Sequence, residues 1–277
     1  MNTNDSALAA AHSVLVSSIE AMIASNAWQA HLKVQAAFHN YSFGNIVWLI
    51  FQAAERGIQP VRFAGFNTWK NKMGRSVKKG EKSFKVLAPV MVKGKKDDED
   101  RYVLRGFKVV STFEKSQTEG KELPEVCTKL QGTSEEALSA YAKLAAFATG
   151  RGWSVEKGET GSANGFADLI SKRIVVSPLL SDLQAVKTLC HEVAHSMMHA
   201  DEIGSHGTDV REVEAESVAF VVLNALGFDS AAYSFGYVAI WSKGDIELVK
   251  KTGERVQRAA KAILEALGAK GEDAAAE

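Results

Sequence analysis

The chain has 277 residues, with 33 Lys+Arg against 33 Asp+Glu and a formal net charge of zero. Hydrophobic residues make up 46% and charged residues 24%, an ordinary globular composition that excludes disordered and fibrous classes; the length allows one large domain or two modest ones. Two cysteines, Cys127 and Cys190, cannot build a disulfide framework, and no apolar run approaches the roughly 18–20 residues of a membrane span. The expectation is a cytoplasmic protein without a membrane partner.

Residues from about Asp5 to Arg56 read as helical, because Leu15, Ile19, Met22 and Ile23, and later Ile46, Leu49 and Ile50, recur at helical spacing. Asn40-Tyr41-Ser42 divides this stretch into two helices, with Ser42 as N-cap of the second and Gly57 as its stop. Beyond Pro60, Val-, Phe- and Tyr-rich segments at Phe84–Val92 and Tyr102–Phe113 flank the acidic patch Asp97–Asp100. That is the pattern of a hairpin with a solvated loop. The polar stretch Ser116–Glu125 reads as a linker, so a first domain over 1–126 is expected, with linker character over about 116–130. The second, 131–277, opens with a helix over Ser134–Ala148 and short strands at Trp153–Glu156 and Arg173–Val176. Three helices follow: Ser181 to about Ala200, with Ser181 and Gln184 as a capping box; Asp209–Leu226, stopped by Gly227; and Asp245–Leu267, before a frayed tail over 268–277. The expected fold class is α+β, with N-terminal helices and a small antiparallel sheet followed by a second α+β domain.

Charge divides in the same place. Residues 1–126 hold 18 Lys+Arg against 12 Asp+Glu, a net of +6, and residues 127–277 hold 15 against 21, a net of −6. Neutrality is therefore a sum over two oppositely charged halves, and the isolated N-terminal half is expected to bind an anionic partner at least as tightly as the whole chain.

His191-Glu192-Val193-Ala194-His195 is an HExxH pattern inside one of the expected helices. Residues i and i+4 share a helix face, so both imidazoles can reach one Zn²⁺, and Glu192 can take a proton from water that the metal acidifies. A catalytic zinc needs a third protein ligand and an open position. The next helix offers Glu212 and Glu216 on one face, with Glu214 turned about 200° away and assigned to a solvated face. Glu212 is assigned as third ligand. Glu216 is assigned as acceptor of a liganding histidine's outward N–H, and is also the competing third ligand. His199 and His206 are set aside as ligands. Cys190 reads as a buried packing residue, and Tyr233, Tyr237 and Trp241 as core, with a tyrosine hydroxyl near zinc as the alternative.

Between Phe63 and Lys85, the aromatics Phe63, Phe66 and Trp69 interleave with Lys70, Lys72, Arg75, Lys78, Lys79 and Lys82. Cations that track phosphates and aromatic platforms for bases form a site for single-stranded nucleic acid. Gly74 and Gly80 would let backbone N–H groups approach phosphate.

Several segments together resemble a known family: Asn40-Tyr41-Ser42 with Asn45, Gly65-Phe66-Asn67-Thr68-Trp69, Gly74-Arg75-Ser76-Val77-Lys78-Lys79-Gly80-Glu81-Lys82, and Phe113 to Gly120 ending Ser116-Gln117-Thr118-Glu119-Gly120. These resemble the N-terminal domain of ArdC-type antirestriction proteins, with Glu114 replacing the aspartate that usually follows the phenylalanine. The C-terminal half is similar to the zincin-like metallopeptidase domain that accompanies it, and more distantly to the ImmA/IrrE peptidases. The resemblance covers roughly residues 38–120 and 160–265. It implies single-stranded DNA as partner, a gluzincin-like zinc peptidase site in which the Glu-x-x-x-Glu pair matches Glu212 and Glu216, and a protein of plasmids or other mobile elements that protects DNA entering by conjugation. Three functions are weighed: an antirestriction protein that binds single-stranded DNA and hydrolyses a protein substrate; a DNA-binding protective protein whose metal site is structural or regulatory; and a peptidase whose basic half recognises an acidic protein.

Overall fold

The computed structural model describes residues 3–25, 27–93, 102–122, 134–200, 208–228 and 241–269. The acidic patch Asp97–Asp100, Cys127, His206, Tyr233, Tyr237 and most of the expected tail lie outside the described residues. The chain is α+β and divides into two units. The first is built from the described residues of 1–20 and 44–124, the second from those of 21–43 and 125–271.

The first unit takes most of helix α1 (Thr3–Ser25) and of α3 (Phe43–Glu55), with strands β1 (Phe63–Ala64), β2 (Arg75–Val77), β3 (Phe84–Lys93), β4 (Tyr102–Glu114) and β5 (Thr118–Gly120). The long hairpin β3–β4 runs in register from Phe84↔Thr112 to Lys93↔Tyr102, with one irregularity at Val90/Met91. The sheet order is β1-β4-β3, so β3 is an edge, which tolerates Pro89. Two side-chain amides spaced two turns apart on α3 cover that edge. Asn45 Nδ2 donates to Leu87 O and Leu87 N donates to Asn45 Oδ1, both at 2.8 Å. Gln52 Nε2 donates to Lys85 O at 2.9 Å, and Lys85 N donates to Gln52 Oε1 at 2.8 Å. Each amide offers one donor and one acceptor, as a neighbouring strand would.

Residues 116–120 are not linker. Lys115–Gln117 forms a 3-10 turn and β5 pairs antiparallel with β2. Glu114 organises this corner: its buried carboxylate accepts N–H groups from Val61 (3.0 Å), Arg62 (3.1 Å) and Ser116 (2.5 Å). The glutamate that departs from the family pattern thus joins two separate segments.

The second unit contains α2 (Trp28–Ala37), α4 (Ser134–Gly150), β6 (Ser154–Lys157), β7 (Gly165–Asp168), β8 (Arg173–Val176), α5 (Asp182–Met198), α6 (Thr208–Ala225) and α7 (Ile246–Leu267). Its sheet has the order β6-β8-β7, with β6 parallel and β7 antiparallel to the central β8. The first helical stretch breaks twice rather than once: α1 ends at Ser25 and α2 starts at Trp28, a break that no Gly or Pro marks. Residues 21–43 therefore join the second unit, and a fragment cut near residue 126 would remove them from it. Trp28 donates through Nε1 to Ser217 Oγ of α6 at 2.9 Å, and its ring meets Trp241 edge-on at 5.4 Å. Helix α6 is buried on nearly all sides (Ala215, Val218, Ala219, Phe220, Val221, Val222), as befits a helix enclosed by others. Helix α7 is capped by Asp245, whose Oδ1 accepts Leu248 N at 3.1 Å, and buries Val249, Val256, Ile263 and Leu264.

Gly253, inside α7, has a packing reason: a Cβ there would overlap the ring of Phe43. Gly253→Ala is expected to lower stability by about 1–3 kcal/mol despite its better helix propensity, read by urea unfolding. His31 lies between Trp28 and Phe43, its ring 4.8 Å from that of Phe43, and burial lowers its pKa to about 4. The unfolded chain takes that proton near pH 6.5, so the stability from keeping His31 neutral is complete above 6.5 and is lost as pH falls toward 4. The loss over that window is about 3 kcal/mol. Urea titrations of wild type and His31→Gln should converge in pH dependence elsewhere and differ there.

Candidate metal centre and basic face

Helix α5 starts where Ser181 Oγ accepts Gln184 N. Its inner face buries Val186, Leu189, Cys190, Val193 and Ala194, which fixes the helix and directs His191 and His195 outward. Cys190 is fully buried among these packing residues, and burial drives its thiol far above its ordinary pKa. Helix α6 packs alongside and supplies Glu212. The Nε2 atoms of His191 and His195 are 3.0 Å apart, Glu212 Oε2 is 3.4 Å from His191 Nε2, and Glu212 Oε1 is 3.6 Å from His195 Nε2. Tetrahedral ligands at zinc bond lengths stand roughly 3.3 Å from one another, so these three side chains fit a divalent cation. Glu212 is more than half exposed, which leaves the opposite side open.

The same convergence appears in the electrostatics. Burial alone would lower the His191 pKa, but hydrogen bonds to Glu212 and Glu216 and the charge of Glu192 lift it to about 9. Hydrogen bonds to both histidines hold the Glu212 carboxyl far below the usual carboxylate range. A proton on His191 stands where a cation would otherwise balance the carboxylates. Glu216 Oε2 lies 3.1 Å from His191 Nδ1, and its Oε1 is 3.2 Å from Lys187 Nζ. Glu216 therefore faces the outer nitrogen of His191, and Glu212 the inner one.

Glu214 does not lie on a solvated face. It is 1% exposed, with Oε2 3.0 Å from His199 Nε2 and Oε1 2.9 Å from Arg255 Nε on α7. His199 is equally buried and stands behind His195, their Nδ1 atoms 2.9 Å apart. Trp241 packs in the core beside Trp28.

A cleft of about 420 Å³ opens over the three side chains, lined by Phe166 and Ala167 of β7, Leu169, Glu192 and Arg211. Strand β7 lies against α5 at Gly165, where a Cβ would come within 2.7 Å of Thr188 Cγ2 and 2.8 Å of Val175 O. Only glycine allows that approach, which carries the strand over Glu192. Burial, with the nearby charge of Glu212, raises the Glu192 pKa to about 7, opposed by His191 and the N–H of Ala167. Sequence reasoning missed β7, because Gly-Phe-Ala-Asp carries neither alternation nor β-branched residues, and with it the Ala167 N–H and Arg211.

The basic segment is divided differently from expectation. Trp69 is fully buried and donates through Nε1 to Phe113 O at 2.9 Å, so its ring is a core element and not a base platform. Phe63 is buried against Phe84. Arg75 directs Nε to Thr118 Oγ1 (2.7 Å), Nη2 to Thr118 O (2.8 Å) and Nη1 to Lys121 O (2.6 Å), which commits its guanidinium to the β2–β5 corner. Lys78 Nζ donates to Ser116 O at 2.9 Å. Phe66, 51% exposed, and Lys70, Lys72, Lys79 and Lys82 remain on the surface.

Residues 12–132 match a family model described as the N-terminal domain of anti-restriction factor ArdC. Two crystal structures of the antirestriction ArdC protein from the R388 plasmid share the fold across both units. The metal-free one is 19% identical with a TM-score of 0.56, covering 92% of this chain and 96% of that one. The Mn(II)-bound one is 22% identical with a TM-score of 0.54, covering 91% and 96%. Residues 12–132 thus form an ArdC N-terminal domain, and the chain as a whole has the ArdC fold. No curated protein matches it significantly.

The segments that carry the ArdC resemblance support one another inside the first unit. Trp69 reaches Phe113, Arg75 reaches Thr118 and Lys121, and Gln117 Nε2 donates to Glu81 Oε2 and Lys82 O, each at 2.9 Å. Much of this ArdC signature is therefore architectural. In the second unit, a His191 pKa lifted to about 9 leaves that ring protonated at neutral pH, so a divalent cation bound there would have to expel the proton. Zn²⁺ affinity should rise with pH up to about 9, with about one proton released per ion at pH 7.5. Calorimetry in buffers of different ionisation enthalpy measures this; uptake without proton release would contradict it.

Proposed function

We propose that this chain is an ArdC-type antirestriction protein of a mobile element that works in the cytoplasm, binding single-stranded DNA through its first unit and hydrolysing peptide bonds in its second. The observation that carries the second part is the placement of Glu192 in a cleft beside His191, His195 and Glu212, on a helix overlain by an edge strand. His191, His195 and Glu212 would hold the ion, with Glu216 orienting His191; zinc suits this nitrogen and oxygen donor set. When bound, the ion supplies Lewis acidity, which acidifies water and polarises a carbonyl. Glu192, with a pKa near 7, is suited to take the proton from attacking water and return it to the leaving amine. Arg211 lines the same cleft and offers a fixed positive charge to a developing oxyanion. Strand β7 pairs with β8 on one side only within its sheet, so an extended peptide can add antiparallel along its other edge.

For DNA, the support is the net charge of +6 over residues 1–126 and the exposed set Phe66, Lys70, Lys72, Lys79 and Lys82. Lys78, although hydrogen-bonded, adds its charge to the same surface.

Glu192→Ala should lower hydrolysis of an unstructured protein such as casein by at least about 100-fold while metal content and melting temperature stay unchanged. An undiminished rate sinks the catalytic assignment. Protection of DNA by that variant in a restriction challenge tells whether antirestriction resides in DNA binding or in proteolysis. Simultaneous replacement of Lys70, Lys79 and Lys82 by Ala should flatten the log–log salt dependence of single-strand binding by about 2, at roughly 0.7 per phosphate contact. An unchanged slope in gel shifts would move the DNA face elsewhere.

A further inference from the structure

We propose that His199 is a positioning residue for the metal site: anchored by Glu214 and Arg255, it accepts the Nδ1–H of His195 and so turns the Nε2 lone pair of His195 toward the cation. The inference rests on the reading of His191, His195 and Glu212 as a metal site, and extends it to three residues behind His195.

Arg255 carries a permanent positive charge; its Nε is 2.9 Å from Glu214 Oε1, and its Nη2 donates to Met198 O at 2.9 Å. Against that guanidinium Glu214 is a carboxylate, which only accepts. Its other oxygen is 3.0 Å from His199 Nε2, so Nε2 of His199 carries a hydrogen. A neutral imidazole with its hydrogen on Nε2 has a bare Nδ1. That Nδ1 is 2.9 Å from His195 Nδ1, and only one hydrogen fits between two ring nitrogens at this distance. The hydrogen therefore belongs to His195. Its Nε2 is left bare and points at His191 Nε2 and Glu212, the place where the three donor atoms converge. Were the hydrogen on His199 Nδ1 instead, His195 would carry its own on Nε2 and obstruct the cation.

Placement makes this order durable. His199 is the C-cap residue of α5, one turn beyond His195, and both it and Glu214 are almost completely shielded from water. No solvent competes for these bonds, and an unpaired polar atom there would be costly. Glu214 comes from α6 and Arg255 from α7, so three helices fix one ring orientation. His191 is set by a separate device, Glu216 with Lys187, nearer the surface.

The first test uses the unaltered, metal-free, full-length protein labelled with ¹⁵N-histidine. Long-range proton–nitrogen correlation at pH 7 should show His195 protonated at Nδ1 and His199 at Nε2; His195 protonated at Nε2 overturns the proposal. The second is Zn²⁺ affinity by chelator competition. His199→Phe keeps the ring shape without the acceptor and should weaken binding 10–100-fold. His199→Asn, whose Oδ1 occupies nearly the same position as Nδ1, should restore part of the loss, and thermal melts of the metal-free variants separate this from unfolding. Undiminished affinity in a folded His199→Phe overturns the proposal, and if that variant does not fold the tautomer measurement decides. Failure of the wild type to bind Zn²⁺ or Mn²⁺ would instead refute the metal-site reading, an outcome the tautomer measurement does not share.

Discussion

The packing of α5 against α6 sets everything that is chemically distinctive in the second unit. Three carboxylates on α6 meet imidazoles of α5 and its C-cap at three depths. Glu212 sits at the open cleft, Glu216 at its flank with Lys187, and Glu214 in the interior with Arg255. Carboxylates this deep persist only when paired and hydrogen-bonded, since isolated charges in a low-dielectric interior are strongly disfavoured. Each partner therefore constrains the next, and the helix pair can shift little without stranding a charge. The apolar surroundings of α6 reinforce this, because sliding it would disturb packing on nearly every side.

The first unit reaches a comparable result by pairing side chains with backbone groups. Asn45 and Gln52 act as a substitute strand for the edge of β3, and Glu114 gathers N–H groups from chain segments on both sides of the hairpin. Three of the residues that read as a binding surface, Phe63, Trp69 and Arg75, are absorbed by this framework. What faces solvent is a thinner set of lysines around Phe66, displayed by a corner whose conformation Trp69 and Arg75 maintain from inside.

Spacing made the metal-facing residues legible. His191 and His195 at i and i+4, and Glu212 and Glu216 at i and i+4, are helical periodicities that survive any tertiary arrangement. Glu214 was illegible for the same reason. Its angular offset from Glu212 marks a different face, but whether that face meets water or α7 depends on a residue 41 positions away, Arg255, which no local pattern announces. Trp69 and Arg75 show the converse problem, since interleaved aromatics and cations look alike whether the rings point inward or outward. The break after Ser25 and the strand over Gly165–Asp168 escaped because tertiary packing, not turn chemistry or alternation, defines them.

The path of the chain has implications for its synthesis. Residues 21–43 belong with 125–271, and the hydrogen bond from Trp28 to Ser217 closes a separation of 189 residues. As the polypeptide emerges from the ribosome, α2 is complete long before the helix that covers it exists. Trp28, His31 and Leu32 must wait, uncovered, through translation of residues 44–124 and of the second unit as far as α6. Contacts of such long range are slow to form and expose apolar surface in the meantime. The first unit can close while its partner is still being made, but α2 stays an open apolar surface until α6 has been synthesised.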